Sequence, residues 1–109
     1  MLFDLTKLAR EYRERRDVLC DVLREVGFGV SLPLGAYYVM TDISRLTDKD
    51  DVGFAMELVA KGGVATVPGS SFFLDPRDGA RIVRFCFAKK METLERAAVV
   101  LRERLGVRR

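Results

Sequence analysis

Arg84 is the residue whose type and setting most clearly permit chemistry in this sequence. It stands in residues 82–88, an otherwise apolar segment that is short and rich in strand-forming residues. Because side chains alternate along a strand, Arg84 shares a face with Ile82 and Cys86. A guanidinium on a rigid strand can offer two parallel donors to a carboxylate. Two simpler interpretations stay open: this face meets solvent near the strand end, or Arg84 pairs with an acidic neighbour.

A turn precedes this strand. The β-branched run at residues 64–67 stops at Pro68 and Gly69, and this pair is turn chemistry, so we expect a strand to end there. Serines after such a turn are common turn material, and an aromatic residue behind them, here Phe72, usually enters a core. A polar loop at residues 75–79 then leads to the segment that carries Arg84.

Histidine is absent and cysteine is scarce, which limits the chemistry. The sequence has two cysteines, Cys20 and Cys86, and no histidine. Neither a histidine-based zinc site nor a Ser-His or Cys-His catalytic pair can be built. The two cysteines have no metal or redox spacing and are predicted to be small core residues, which suits a reducing cytosol. We therefore expect no metal and a cytoplasmic protein.

The charge pattern and the hydropathy argue against nucleic acid and membrane partners. The net charge is +3, and acidic residues offset the arginines of residues 10–16 on the same predicted helix. No aromatic residues interleave with a basic groove, so we expect no nucleic-acid binding. No segment has the length and apolarity of a membrane span, and the N-terminus has no signal-peptide pattern.

The elements that position Arg84 follow from hydrophobic periodicity. Apolar residues recur at helical spacing up to Val26, and Gly27 ends the pattern, which predicts a long first helix. Residues 36–43 favour a strand. Thr47 is expected to cap a second helix that ends at Gly62 and Gly63. Its expected inward stripe consists of Val52, Ala55, Leu58 and Val59. A last helix is predicted from Met91 to about Leu105.

These elements predict one α/β domain over residues 1–109. A chain of 109 residues can bury a single hydrophobic core and little more. We expect an α/β sandwich in which a mixed sheet of three or four strands is covered by helices on one face, with the long helix at the N-terminus.

Five segments in the same order resemble one protein family. They are residues 12–17 (YRERRD), 33–38 (PLGAYY), 63–73 (GVATVPGSSFF), 84–88 (RFCFA) and 92–94 (ETL). Their order is similar to the C-terminal small domain of class I and II pyridoxal-phosphate-dependent aminotransferases, which include aspartate, methionine and kynurenine aminotransferases. The resemblance covers nearly the whole chain.

The resemblance implies roles for particular residues. In such enzymes the arginine corresponding to Arg84 holds the α-carboxylate of the amino-acid substrate. The Pro-Gly-Ser turn approaches the active site in the family and helps the small domain to close over substrate. Ser70, Phe72 and Tyr37 are therefore further candidates for substrate binding, with Phe72 lining the side-chain pocket. No catalytic, cofactor-binding or metal-binding residue is expected.

The resemblance also implies parts that this sequence does not supply. An aminotransferase holds its cofactor as a Schiff base on a lysine of a large domain. None of the five lysines stands in such a setting, and the family's Gly-x-Arg segment is absent. We therefore expect pyridoxal phosphate in a complete enzyme, none on this chain alone, and no catalysis without the missing large domain.

Three functions stay open at this stage. The chain is expected to be the substrate-binding small domain of an aminotransferase, which moves an amino group between an amino acid and a 2-oxo acid. It could instead be a stand-alone module that binds small carboxylates or regulates, or the small domain of a related pyridoxal-phosphate lyase. An apolar face left without its large domain predicts self-association, for example as a dimer.

Overall fold

Three helices and four strands make up the structure, a computed structural model that describes residues 5–31, 37–87 and 89–106. In chain order they are α1 (Leu5–Val26), β1 (Gly29–Ser31), β2 (Tyr38–Asp42), α2 (Asp51–Gly62), β3 (Val67–Pro68), β4 (Ile82–Cys86) and α3 (Met91–Leu105). Two 3₁₀ turns, Gly69–Phe72 and Pro76–Gly79, lie between β3 and β4. Residues 32–36 and 88 lie outside the described residues, and among them Ala36 and Ala88 belong to two expected strands.

The strands form one sheet in the order β1-β2-β4-β3. The predicted fold class is confirmed, including the long N-terminal helix. The pairing differs from the expected mixed sheet, because every pair of neighbouring strands described here is antiparallel. The helix α2 joins β2 to β3, and β4 lies between these two strands. The strands β2 and β3 therefore run in the same direction without pairing with each other.

The inner face of the sheet packs against the helices. Val39, Thr41, Val83 and Phe85 alternate with more exposed residues along β2 and β4, as expected for a sheet with one buried face. The buried side chains of the strands and of all three helices form one hydrophobic core. It includes Leu19, Leu23, Val26, Val39, Phe54, Val83, Phe85, Leu94 and Leu101.

The helices α1 and α3 end where the sequence predicts. The helix α1 stops at Val26, and Gly27 follows with φ 110°, a conformation that glycine adopts without a Cβ penalty. The helix α3 covers Met91–Leu105 and contacts α1, where Arg102 donates a hydrogen bond to Glu25. In the described part of the chain, no helix has the length and apolarity needed to cross a membrane.

The start of α2 and its buried stripe differ from the expectation. Asp50, not Thr47, is the N-cap, and its carboxylate accepts a hydrogen bond from the Gly53 N–H at 2.8 Å. Thr47 accepts from the Lys49 N–H in the preceding turn. The inward residues are Asp51, Phe54, Ala55 and Leu58. The expected Val52 and Val59 are half exposed, because they lie on a second apolar stripe beside the buried one.

The strand expected at residues 64–67 is shorter and shifted. Gly63 ends α2 in the left-handed conformation, and the Val64 N–H donates to the Leu58 carbonyl, so Val64 belongs to the helix end. The strand β3 is limited to Val67 and Pro68. Proline is tolerated there because β3 is an edge strand, so the backbone N–H that proline lacks is not required for pairing in the sheet.

A candidate carboxylate-binding site around Arg84

Arg84 lies at the middle of β4, between two neighbouring strands. It faces Met40 of β2 on one side and Val67 of β3 on the other. Its side chain shares the outer face of the sheet with Ile82 and Cys86, as predicted from strand alternation, and is half buried. Because β4 is hydrogen-bonded on both edges, the backbone that carries this guanidinium is rigid.

Two aromatic rings contact the Arg84 guanidinium. Its Cζ atom lies over the Tyr38 ring at 4.6 Å from the centroid and over the Phe72 ring at 5.0 Å. Both distances fall within the range of cation–π interactions. Tyr38 comes from β2 and Phe72 from the 3₁₀ turn Gly69–Phe72. The rings limit the positions open to the guanidinium without neutralising its charge.

Arg84 has no acidic partner in the part of the chain that the structure describes. Within residues 5–31, 37–87 and 89–106, the ion pairs with N–O distances up to 4.0 Å all belong to other cations. Among the described residues, Arg84 therefore forms no internal ion pair. A half-buried guanidinium with aromatic contacts and no carboxylate retains its capacity to bind an anion.

The turn that carries Phe72 is fixed by Asp51. The Ser70 N–H donates to Asp51 Oδ2 at 2.7 Å, and the Asp51 N–H donates to the Ala80 carbonyl at 2.8 Å. The Asp51 side chain is buried at the start of α2. Burial raises the pKa of this carboxyl, but the hydrogen bonds from Ser70 and from the backbone of α2 outweigh burial, and the net pKa is lowered.

Close backbone packing also fixes this turn. A Cβ built on Gly69 would lie 2.4 Å from the Gly79 carbonyl oxygen and 2.6 Å from that of Ile82. A Cβ on Gly79 would lie 2.2 Å from the Gly69 carbonyl carbon. The two 3₁₀ turns therefore meet through their glycine backbones, and a larger residue at either position would displace Phe72 relative to β4.

The other candidate residues, Ser70, Tyr37 and Phe72, each have different contacts in the structure. Ser70 contributes its backbone N–H and its side chain to the Asp51 contact. The Tyr37 ring lies against Tyr12, with centroids 5.0 Å apart, and is 56% exposed. Phe72 contacts Arg84, as does Tyr38, which sequence reasoning did not select. In the register of β2 and β4, Tyr38 pairs with Cys86, and this pairing places Tyr38 beside Arg84.

Arg81 is a second arginine whose role sequence reasoning missed. Its guanidinium donates to the carbonyls of Thr47 and Lys49, and its Nε lies 3.5 Å from Ser44 Oγ. Arg81 therefore holds the loop that leads into α2. Two arginines three positions apart thus have separate structural settings.

The two cysteines differ from each other. Cys20 is buried in the core, as predicted, and burial raises the pKa of its thiol. Cys86 is exposed, so its predicted core position is wrong. The reason is strand alternation, which places Cys86 on the same outer face as Arg84.

The residues of this chain do not fit a pyridoxal-phosphate site. All five lysines are exposed, and Lys49 and Lys61 both pair with Glu57. A Schiff-base lysine requires a pocket that encloses the cofactor beside the amine. Within the described ranges, no group of histidine, cysteine and acidic residues could hold a metal ion. The chemistry that the setting of Arg84 supports is anion binding.

Comparison with known proteins identifies the family. The model of aminotransferase class I and II matches residues 2–101, so the chain belongs to this family. It is 39% identical over 92 residues to the methionine aminotransferase of Escherichia coli K12, covering 84% of this chain. It is 34% identical over 96 residues to a probable aspartate aminotransferase of Methanocaldococcus jannaschii, covering 88% of this chain.

Solved structures agree with this assignment. The N-succinyldiaminopimelate aminotransferase of Mycobacterium tuberculosis superposes with a TM-score of 0.78 at 36% identity, over 87% of this chain and 25% of that protein. The aromatic aminotransferase of Pyrococcus horikoshii gives a TM-score of 0.81 at 30% identity, over 91% of this chain and 26% of that protein. The chain spans 24% of the length of both curated relatives above.

Proposed function

We propose that this chain is the substrate-binding small domain of a pyridoxal-phosphate-dependent aminotransferase. In this role Arg84 binds the carboxylate of an amino acid or a 2-oxo acid. The single observation that carries the proposal is the setting of Arg84. Its guanidinium is half buried, contacts the Tyr38 and Phe72 rings, and has no carboxylate partner among the described residues.

The geometry suits a carboxylate. A guanidinium presents two parallel N–H groups that match the two oxygens of a carboxylate. The rings of Tyr38 and Phe72 exclude water from part of its surroundings, which strengthens the charge-assisted hydrogen bonds to a bound anion. Substrate amino acids and 2-oxo acids share this carboxylate, so one site serves both halves of amino-group transfer.

The proposed contribution of this chain is binding and orientation. Fixing the substrate carboxylate on a rigid strand restricts the position of the neighbouring α-carbon, which lowers the entropic cost of reaction. Pyridoxal phosphate supplies the chemistry of amino transfer in this family. Because no lysine of this chain fits the cofactor, we assign it no step in which the cofactor reacts.

A stand-alone carboxylate-binding module is the second candidate function. It is supported by the fact that both rings around Arg84 belong to this same chain. A site with one arginine and two rings should bind weakly, since few interactions offset the cost of association. Submicromolar binding of a 2-oxo acid by the isolated chain would favour the module.

The outer face of the sheet is the proposed contact surface for a large domain. Tyr38 and Cys86 are exposed on this face, and Met40 and Ile82 are half buried. In the absence of a large domain we propose that the same face supports self-association in the cytosol. Sedimentation velocity over a wide concentration range tests this, and a monomer at every concentration would contradict it.

The test of carboxylate binding is an NMR titration of the chain with L-methionine. We expect saturable shifts of the Arg84 Nε–H signal and of the Tyr38 and Phe72 ring signals. L-methioninol lacks the carboxylate and should leave these signals unchanged. Arg84→Gln should abolish the shifts, and Arg84→Lys should weaken binding because an ammonium lacks the paired planar donors.

Arg45→Gln is the matched control for this titration. Arg45 is an exposed arginine, so its substitution removes the same charge without touching the rings around Arg84. The control should bind L-methionine like the unmodified chain. Equal loss of binding in Arg45→Gln and Arg84→Gln would show a nonspecific charge effect and would refute the proposal.

A further inference from the structure

A cavity lies on the helical side of the molecule, apart from the Arg84 guanidinium. It is formed where the end of α2 approaches β4 and α3, and its volume is about 220 Å³. Most of its wall is apolar. Apolar side chains that line it include Leu19, Val64, Phe85, Leu94, Ala97 and Val100. Arg84, Tyr38 and Phe72 are not among its lining residues.

Two cations line the same cavity. Lys89 precedes α3, and Arg96 lies on the second turn of that helix. Arg15 of α1 donates a hydrogen bond from its Nε to the Lys89 carbonyl at 2.8 Å but does not line the cavity. Two positive groups therefore line one concave, mostly apolar surface.

The cations of this cavity have no carboxylate partners in the described ranges. None of the ion pairs in these ranges includes Lys89 or Arg96. Cations beside the start of a helix add to the positive end of its dipole, and Glu92 in the first turn of α3 offsets part of this charge. Lys89 and Arg96 can therefore both pair with an anion bound in the cavity.

We infer that this cavity binds a small monocarboxylic acid with an apolar body. The carboxylate would lie between Lys89 and Arg96, and the apolar body would pack on Leu94, Ala97 and Val100. Sites for drug-sized ligands usually measure about 300 to 1,000 Å³, so a cavity of 220 Å³ suits a smaller molecule. A phenyl ring or a branched aliphatic chain is of the right class.

This inference does not depend on the proposed function of Arg84. The two sites share a preference for carboxylates, so they must be separated experimentally. The Arg84→Gln variant removes the first site and leaves the walls of the cavity unchanged. All measurements on the cavity therefore use this variant as the background.

The test is a methyl NMR titration of the Arg84→Gln chain with phenylacetate. We expect saturable shifts of the Val64, Leu94 and Val100 methyl signals. The neutral analogue 2-phenylethanol should bind more weakly, because it cannot pair with the two cations. Removal of one cation, by Lys89→Gln or Arg96→Gln, should weaken phenylacetate binding about fivefold, the upper range for an exposed ion pair.

Two further variants complete the design. Ala97→Leu fills the cavity and should prevent phenylacetate binding, with thermal unfolding recorded to show that the chain remains folded. Arg104→Gln removes an exposed charge from the same helix outside this cavity and should bind phenylacetate like the background. Absence of methyl shifts, equal binding of 2-phenylethanol, or an equal effect of Arg104→Gln would each overturn the inference.

Discussion

The Arg84 Cζ atom lies 4.6 Å from the centroid of the Tyr38 ring, across two paired strands. Tyr38 pairs with Cys86 in the sheet, so it is the diagonal neighbour of Arg84 on the same face. The contact therefore follows from the register of β2 and β4. It gives the guanidinium a fixed partner that does not compete for an anion as an acidic residue would.

The Tyr38 ring should contribute to anion binding by restricting Arg84. We expect Tyr38→Leu to weaken L-methionine binding about fivefold, because a cation–π contact of this kind contributes about 1 kcal/mol. Isothermal titration or NMR titration measures the dissociation constant. Tyr37→Leu is the control, since the Tyr37 ring contacts Tyr12 instead. A larger loss in Tyr37→Leu than in Tyr38→Leu would contradict this role.

Substitutions of Arg81, which precedes β4, and of Arg84, within β4, should separate effects on stability from effects on binding. Arg81→Gln removes hydrogen bonds to two backbone carbonyls and should lower the free energy of unfolding by about 1 to 3 kcal/mol. Arg84→Gln removes no hydrogen bond to the described residues and should lower it by less than about 1 kcal/mol. Urea unfolding of both variants measures these values. The reverse order of stability would show that the two roles are misassigned.

The bounds of α1 and α3 could be predicted because their signals are local. Apolar residues recur at helical spacing through many turns of α1, and Gly27 ends the pattern. The start of α2 was harder to predict from the sequence, since Thr47, Asp48 and Asp50 can all cap a helix. The choice depends on tertiary contacts, because Arg81 holds the carbonyls of Thr47 and Lys49 in the preceding loop.

In the candidate site too, some features can be predicted from one local segment, and others depend on contacts between distant segments. The face of Arg84 follows from strand alternation, which one segment reveals. The choice between Tyr37 and Tyr38 depends on register, since a shift of one residue moves every side chain to the other face. That register brings Tyr38 close to Arg84, which lies 46 positions later in the sequence, and no local pattern encodes it.

The glycine contact between the two 3₁₀ turns should be sensitive to a single methyl group. Gly79→Ala would bring its Cβ 2.2 Å from the Gly69 carbonyl carbon, so the turns must separate. We expect the free energy of unfolding to fall by about 1 to 3 kcal/mol, as for other overpacked sites. L-methionine binding should also weaken, because Phe72 moves with its turn.

The control for this substitution is Ser71→Ala in the neighbouring turn. Ser71 is exposed, and we expect its variant to change the free energy of unfolding by less than about 0.5 kcal/mol. Urea unfolding measures both variants. Equal stability of Gly79→Ala and the unmodified chain would show that the two turns can separate at no cost.

Asp51 should make the stability of the chain depend on pH in the acid range. The folded state lowers the pKa of this carboxyl below its usual 3.8, despite burial, through hydrogen bonds from Ser70 and the backbone. The ionised form therefore stabilises the fold fully above pH 3.8. This contribution is lost as the pH falls through the lowered pKa. We expect Asp51→Asn to reduce stability at neutral pH and to flatten the acid decline.

Urea unfolding from pH 7 to pH 2 measures this effect in Asp51→Asn and in a control variant, Asp48→Asn. Asp48 is exposed, so its substitution should leave the acid decline unchanged. The decline in Asp51→Asn should be reduced and not abolished, because the pKa values of Asp42 and Glu57 are also lowered in the folded state. Parallel curves for Asp51→Asn and the unmodified chain would show that the hydrogen bond from the Ser70 N–H does not depend on the charge of Asp51.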